Sequence, residues 1–286
     1  MIKKKRTILQ SIKKDILKGF KRSYFFLYTI LKYNLISIKA FIFKKEIQTF
    51  KISLLLPTRE RSKKFERLLI SLVKTCNNLS RIEILLLLDQ DDKEILQYKS
   101  IMNKDSFRSL KFTLITKDFK THAQRNNHLA NFSKGDIIFP IGDDMIFVTE
   151  KWDSVIDSEF SKIDMLNPFC LWIKSNIKYR YLHCDYPIVN KSWYKRLGYV
   201  GSEYFNFWYF DTWICDLSMR SGQYIATPKI KVDQLSANRF KNEVDETYLR
   251  NINTDKEEKD YIIWNQTKDL RIKHSRLLSK KSNQNI

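Results

Sequence analysis

The sequence predicts an α/β domain: a doubly wound, mostly parallel sheet with helices on both faces. Three observations lead there. From residue 52 onward, short apolar runs alternate with one-sided helical patterns. The runs are continuously apolar, as strands covered on both faces are. Acidic residues directly follow two of them, at the strand ends where open α/β sheets bind ligands.

Taken in order, residues 52–56 form an apolar run closed by Pro57, a buried strand entering a loop. Ser62 is placed to cap a helix whose apolar positions are Phe65, Leu68, Leu69, Leu72, Val73 and Cys76. That is the spacing of one helical face. Residues 82–88 are a second run, closed by Asp89, and a weaker helix passes through Ile95, Tyr98 and Met102. Leu110, Phe112 and Leu114 alternate as a third strand. A helix over 123–132 leads to Gly135 and a fourth strand over 137–141, closed by Gly142-Asp143-Asp144.

Composition narrows the class. With 43% hydrophobic and 14% aromatic residues in 286, the chain can bury a sizeable core and is not of the disordered type. Cys76, Cys170, Cys184 and Cys215 include no C-x-x-C pair, which signals neither a disulfide framework nor a zinc knuckle and points to a reducing, cytosolic setting. The net charge of +20 is concentrated: the first 51 residues hold fourteen Lys/Arg against Asp15 and Glu46, and 250–286 hold nine against five acids. The chain therefore divides into a basic N-terminal arm (1–48), a central domain (49–240) and a helical basic tail (241–286). Basic arms meet polyanions, nucleic acid or anionic lipid; lysine-rich composition is the other source of such charge.

The arm carries an apolar stretch over 24–43, interrupted by Lys32, Asn34 and Lys39. Two mid-span lysines roughly cancel what the apolar residues gain by insertion, about 2.5–3.5 kcal/mol each against about 0.3–0.6 per Leu, Ile or Phe. On a helix Lys14, Lys18, Lys21, Lys32 and Lys39 fall near one face, with Phe25, Phe26, Leu27, Ile30 and Leu31 largely elsewhere. An interfacial helix with its basic side toward headgroups fits this pattern; packing on the central domain or a true span are the alternatives.

Two acidic clusters, Asp89-Gln90-Asp91-Asp92 and Asp143-Asp144, stand at strand tips that converge if the strands are neighbours. Carboxylates so close repel unless a donor or a divalent cation lies between them, and oxygen ligands favour Mg2+ or Mn2+ over zinc. Acids after strands also serve as turn formers and helix caps.

These residues resemble a family 2-type glycosyltransferase of the GT-A fold. The resemblance rests on Ile52-Ser-Leu-Leu-Leu-Pro57-Thr58-Arg59, on Leu85–Asp92, on Arg125-Asn126 followed by Lys134-Gly135-Asp136 and Asp143-Asp144, and on Trp152-Asp153. It covers about residues 52–225. It implies a nucleoside pocket at Pro57, Thr58 and Arg59, with Asp89 and Asp91 meeting the base or ribose. It implies Arg125 and Asn126 near the diphosphate. Asp144, assisted by Asp143, would bind the Mn2+ or Mg2+ that bridges the phosphates. It further implies inverting transfer from a nucleotide-diphosphate sugar to a glycan or lipid-linked acceptor. The proton goes to a base in the segment 198–222, with Asp211 first and Asp216 second. Trp193, Trp208, Tyr209 and Trp213 are candidates to stack on sugar faces, or core residues.

Two departures stand out, the first being the acidic turn Asp89-Gln90-Asp91-Asp92 in place of that family's commoner D-G-S form. The late strand of that family often ends in a metal-binding histidine, whereas this chain has Lys231-Val-Asp233-Gln234-Leu235, leaving Asp233 or Gln234 to supply oxygen. The remaining histidines, including His122 and His128 on an expected surface helix, read as solvated or satisfied. A nucleotidyltransferase is the competing enzyme class, but Pro57-Thr-Arg-Glu-Arg lacks the glycine-rich phosphate loop it would use. A non-catalytic nucleic-acid binder accounts for the arms alone and leaves the strand-tip acids unexplained, so nucleic acid is an unlikely partner. The arm would hold the enzyme peripherally at the inner, cytoplasmic face of the membrane.

Overall fold

The computed structural model describes residues 24, 27–176, 184–235, 240, 243–251 and 254–280. A helix α1 over residues 27–42 precedes β1 (Ile52–Pro57), α2 (Ser62–Thr75), β2 (Ile82–Leu88), α3 (Ile95–Met102), β3 (Lys111–Thr116), α4 (His122–Phe132) and β4 (Ile137–Pro140). There follow β5 (Met145–Phe147), α5 (Trp152–Phe160), β6 (Cys170–Ser175), β7 (Ile188–Asn190), α6 (Lys191–Leu197), α7 (Phe210–Ser221) and β8 (Tyr224–Gln234). Helices α8 (Glu246–Asn251), α9 (Thr254–Gln266) and α10 (Lys268–Ser279) end the described chain.

All eight strands form one sheet in the order β3-β2-β1-β4-β7-β6-β8-β5. The half read from the sequence, β3-β2-β1-β4, is parallel throughout. The other half is mixed: β7 runs antiparallel to β4 and β6, and β5 antiparallel to β8. Two registers place the site. Pro57 pairs with Leu87, and Leu55 with Pro140, so the loops after β1, β2 and β4 open at one edge. Met145 pairs with Gln234, which carries the end of β8 to the Asp143–Asp144 turn.

The strands are buried because their side chains are apolar on both faces: Ile52, Leu54, Leu55, Leu56, Ile84, Leu86 and Phe139 are all inaccessible. The turn before β4 needs a glycine, since a Cβ at Gly135 would lie 2.5 Å from Ser53 Oγ and 2.7 Å from the Ser53 nitrogen. Helix α2 starts differently from the expectation. Its cap residue is Arg61, without a side-chain cap bond, and Ser62 is the first helical residue. The free donors there go to the loop after β2: Glu60 N–H to Asp92 at 2.9 Å and Ser62 N–H to Glu94 at 2.7 Å. Asp92 is thus a buried anchor for the start of α2.

Two segments flanking the central domain pack on it, which for the arm is the docking that the sequence left as an alternative. In the C-terminal region, Asp260 of α9 is wholly buried and accepts from the backbone N–H groups of Asn206, Phe207 and Trp208 at 2.7, 3.0 and 2.9 Å. Helix α1 docks through Lys32, whose ammonium reaches the Gly222 carbonyl at 2.6 Å, and through Tyr33, whose hydroxyl donates to Glu159 at 3.1 Å. Burial lowers the Lys32 pKa to about 8. Lys32 therefore faces the protein rather than headgroups, which corrects the expected orientation of the helix. Lys14, Lys18, Lys21, Phe25 and Phe26 lie outside the described residues.

Candidate functional site

The loops after β1, β2 and β4 enclose a cavity of about 520 Å³. Of the residues expected in a donor site, Pro57, Thr58, Arg59, Asp89, Arg125, Asp143 and Asp144 all line it. They come together because β1 lies between β2 and β4, so three successive strand tips face one space.

The charges there are arranged in a definite order. Asp89 is buried, with Arg59 at 2.8 Å on one oxygen and Arg125 at 2.7 Å on the other. It thereby presents two guanidinium groups to the cavity. Asp91 does not line the cavity: exposed, it clamps Arg59 from outside with bonds of 2.5 and 2.7 Å. Together Asp91 and Asp89 raise the Arg59 pKa above its usual range. Asn126 is also displaced from the expected role. Fully buried, it donates to His122 Nε2 at 3.0 Å and to the His122 carbonyl at 3.1 Å, and so supports the cavity wall from behind.

The Asp143–Asp144 pair is asymmetric. Asp143 accepts from Thr58 Oγ1 at 2.5 Å and from Arg61 at 3.0 Å, so its charge is already matched. Among the described residues, the Asp144 carboxylate accepts only long hydrogen bonds, from the Gln234 amide at 3.3 Å and the Tyr186 hydroxyl at 3.4 Å. Burial, and then the neighbouring Asp143, push the Asp144 pKa up to about 6. A half-buried carboxylate so poorly balanced is a place for a cation. The carboxylate oxygens of Asp144 and Asp143 are hard ligands that suit Mg2+ or Mn2+. Among the described residues no three His, Cys, Asp or Glu side chains converge on one point. At such a place Asp144 would be one ligand of a cation whose other positions substrate phosphates would fill. Gln234, not Asp233, occupies the late-strand position; Asp233 pairs with Lys231 at 3.1 Å.

The sequence reading missed several wall residues. Arg61, Lys120 and Lys256 add positive charge, Asp185 adds a carboxylate held by Ser175 at 2.6 Å, and His122 lies among them. Burial, then the charge of Arg125, lowers the His122 pKa to about 4, so its imidazole is neutral at pH 7. Arg61 could have been found by the reasoning applied to Arg59, since both follow Pro57 in one loop. His122, Asp185 and Lys256 join the site only through tertiary packing.

The acceptor-side expectations divide. Asp211 opens α7 next to Phe210, which lines the cavity; its own side chain is not part of the lining, though its charge acts on His122. Asp216 lies elsewhere. It bonds Arg220 at 2.6 Å and Arg271 at 3.0 Å, tying α10 to α7, and Arg271 stacks 3.6 Å over the Trp264 ring. That corrects its placement as a base candidate. Trp193 and Trp213 are fully buried, and Tyr209 stacks on Trp264; none of them, nor Trp208, lines the cavity. Phe207, Phe210 and Tyr186 carry the aromatic rings that do.

The sequence matches no protein-family model and no curated protein. Solved structures do match in fold. The mannosyltransferase PcManGT from Pyrobaculum calidifontis, solved with GDP-Man and Mn2+, aligns with 74% of this chain over 67% of its own, at 11% identity and a TM-score of 0.54. The 1–349 fragment of S. aureus TarS aligns with 68% of this chain at 16% identity and a TM-score of 0.50. This chain spans 63% of that fragment, a little under two thirds. At such identities the likeness is one of architecture, and the architecture is the GT-A type that the sequence motifs imply.

Proposed function

We propose that the chain is a glycosyltransferase, moving a sugar from a nucleotide-diphosphate donor to a glycan or lipid-linked acceptor with inversion. The observation that carries this reading is the cavity, where Arg59, Arg61, Lys120, Arg125 and Lys256 share the lining with the under-balanced carboxylate of Asp144. A diphosphate joined to a cation satisfies both at once. The shared fold supports it, since PcManGT was solved holding GDP-Man and Mn2+.

In this scheme Pro57, Thr58 and Arg59 border the nucleoside, and Asp89 and Asp91 hold Arg59 in place. Arg61, Arg125, Lys120 and Lys256 meet the diphosphate oxygens. Asp144, assisted by Asp143, would hold Mn2+ or Mg2+, which would supply positive charge for the departing diphosphate. Asp143 keeps Arg61 directed at the same group. Asp211 takes the acceptor hydroxyl proton as that oxygen bonds to the anomeric carbon and the bond to the diphosphate breaks on the opposite side. A second reading gives the proton to Asp185, favoured by its place in the cavity wall. Asp211→Asn and Asp185→Asn separate them: the true base loses turnover about 10²–10⁴-fold while donor affinity is kept. The enzyme then works peripherally at the inner membrane face, where lipid-linked acceptors lie.

The test is thermal unfolding against a panel of nucleotide sugars, with and without Mn2+, together with donor hydrolysis. A midpoint raised by one donor class only when the cation is present is the expected result. No shift and no hydrolysis across the panel contradicts the proposal.

A further inference from the structure

Surface helices of soluble proteins turn an apolar stripe inward and polar residues outward. Helix α1 does the reverse. Its half-buried positions are Thr29, Lys32, Tyr33, Ile36, Ser37 and Ala40, the spacing of one helical face. That inner face is polar in most of its residues and in its contacts. The Lys32 ammonium meets the carbonyl of Gly222 at the C-terminus of α7 and lies 3.9 Å from the Tyr224 ring centroid. A cation is favoured there, where the last carbonyls of α7 gather negative charge. The outer face carries Leu27, Leu31, Leu35, Ile38, Phe41 and Ile42, each between 53% and 85% exposed, and the apolar surface continues into Phe43 and Ile47. An apolar strip of this extent marks an interaction surface.

Charge identifies what covers it. Lys39, Lys44 and Lys45 border the strip and are exposed. Upstream, the first 22 residues hold nine Lys/Arg against Asp15 alone. Two copies laid face to face would bring these charges together and repel, whereas an anionic headgroup layer attracts them. Among the described residues no helix is long and apolar enough to cross a membrane, so the strip is suited to lying in the surface.

We infer that the outer face of α1 lies in an anionic lipid leaflet, with Leu31, Leu35, Ile38 and Phe41 in the acyl boundary and Lys39, Lys44 and Lys45 at the lipid phosphates. This gives residues and an orientation to the peripheral contact in the reading above, on which it rests, and it does not depend on the transfer chemistry. The exposed apolar face, turned outward because the lysine is turned inward, is what an interfacial helix requires.

The test is flotation of the full chain with phosphatidylcholine vesicles and with equimolar phosphatidylcholine and phosphatidylglycerol vesicles. Wild type is expected to float with the mixed vesicles. The triple variant Leu31→Gln, Leu35→Gln, Phe41→Gln, altered only at exposed positions, is expected to partition about tenfold less or weaker still. Equal flotation of wild type and variant overturns the inference, as does wild type left unbound by both vesicles. A lipid-free wild type that elutes as a dimer, with the variant a monomer, overturns it too, because the face is then a contact between copies. Donor-dependent thermal shifts of both proteins are a separate readout, whose loss counts against the transferase reading alone.

Discussion

Replacing Asp144 by Asn removes a charge that the cavity does not balance. The Asp144 pKa is raised from 3.8 to about 6 by burial and by Asp143. Because the folded value lies above the unfolded one, the protonated group's contribution to stability is complete below pH 3.8 and is lost as pH rises through 6. A shift of about two units corresponds to about 3 kcal/mol at neutral pH, at about 1.36 kcal/mol per unit. Asn cannot ionise and escapes that loss, while giving up part of the long Gln234 bond, about 0.5 kcal/mol. In chelator at pH 7.5 the variant should be more stable by about 2–3 kcal/mol, a rise in unfolding midpoint of several degrees. The difference should vanish below pH 4. Urea denaturation of both proteins at pH 7.5 and pH 4 measures it. A variant less stable than wild type at pH 7.5 would mean that the fold needs the Asp144 charge, and the cation argument would lose its basis.

His122 should show the opposite sign. Its pKa is held near 4 by burial and then by Arg125, so its stability contribution is present above pH 6.5 and lost as pH falls toward 4. His122→Gln should flatten that acid limb by about 1–2 kcal/mol in denaturation curves, and an unchanged limb would assign it to other groups. Asp216→Ala removes the carboxylate partner of the Arg271 guanidinium, only 4% exposed, and should cost about 3 kcal/mol of stability while turnover per folded molecule is retained. Selective loss of turnover at full stability would restore Asp216 to the site. Asp260→Ala leaves three buried-side N–H donors of the 206–208 loop without their acceptor, which should cost about 3 kcal/mol or more. Because Asn206 and Phe207 line the cavity, donor affinity should fall with it, as calorimetric titration would show.

The parallel half of the sheet and the donor end of the cavity were legible because they are local. Strands β1, β2 and β4 are apolar runs broken only by Ser53 and Glu83, and Arg59, Asp89, Asp143 and Asp144 lie within a few residues of their ends. The antiparallel half was not. Strand β7 has three residues, and β8 contains Pro228, Lys229 and Lys231, which break any period. Gln234 enters the site only through the β5–β8 register, and no sequence pattern reveals that. Asp216 misled because an acid on an expected helix near aromatics looks the same whether it faces a cavity or a buried arginine. The arm misled in a related way. A helical projection separates lysines from apolar residues but does not say which side docks, and Glu159 with the end of α7 decided that.

The most direct measurement is anomalous diffraction at the manganese edge from crystals soaked with Mn2+ and a nucleoside diphosphate. The account predicts one strong peak at the Asp144 carboxylate, shared with the diphosphate, and the nucleoside beside Thr58 and Arg59. A nucleotide bound with no manganese at Asp144, or seated outside this cavity, would contradict it.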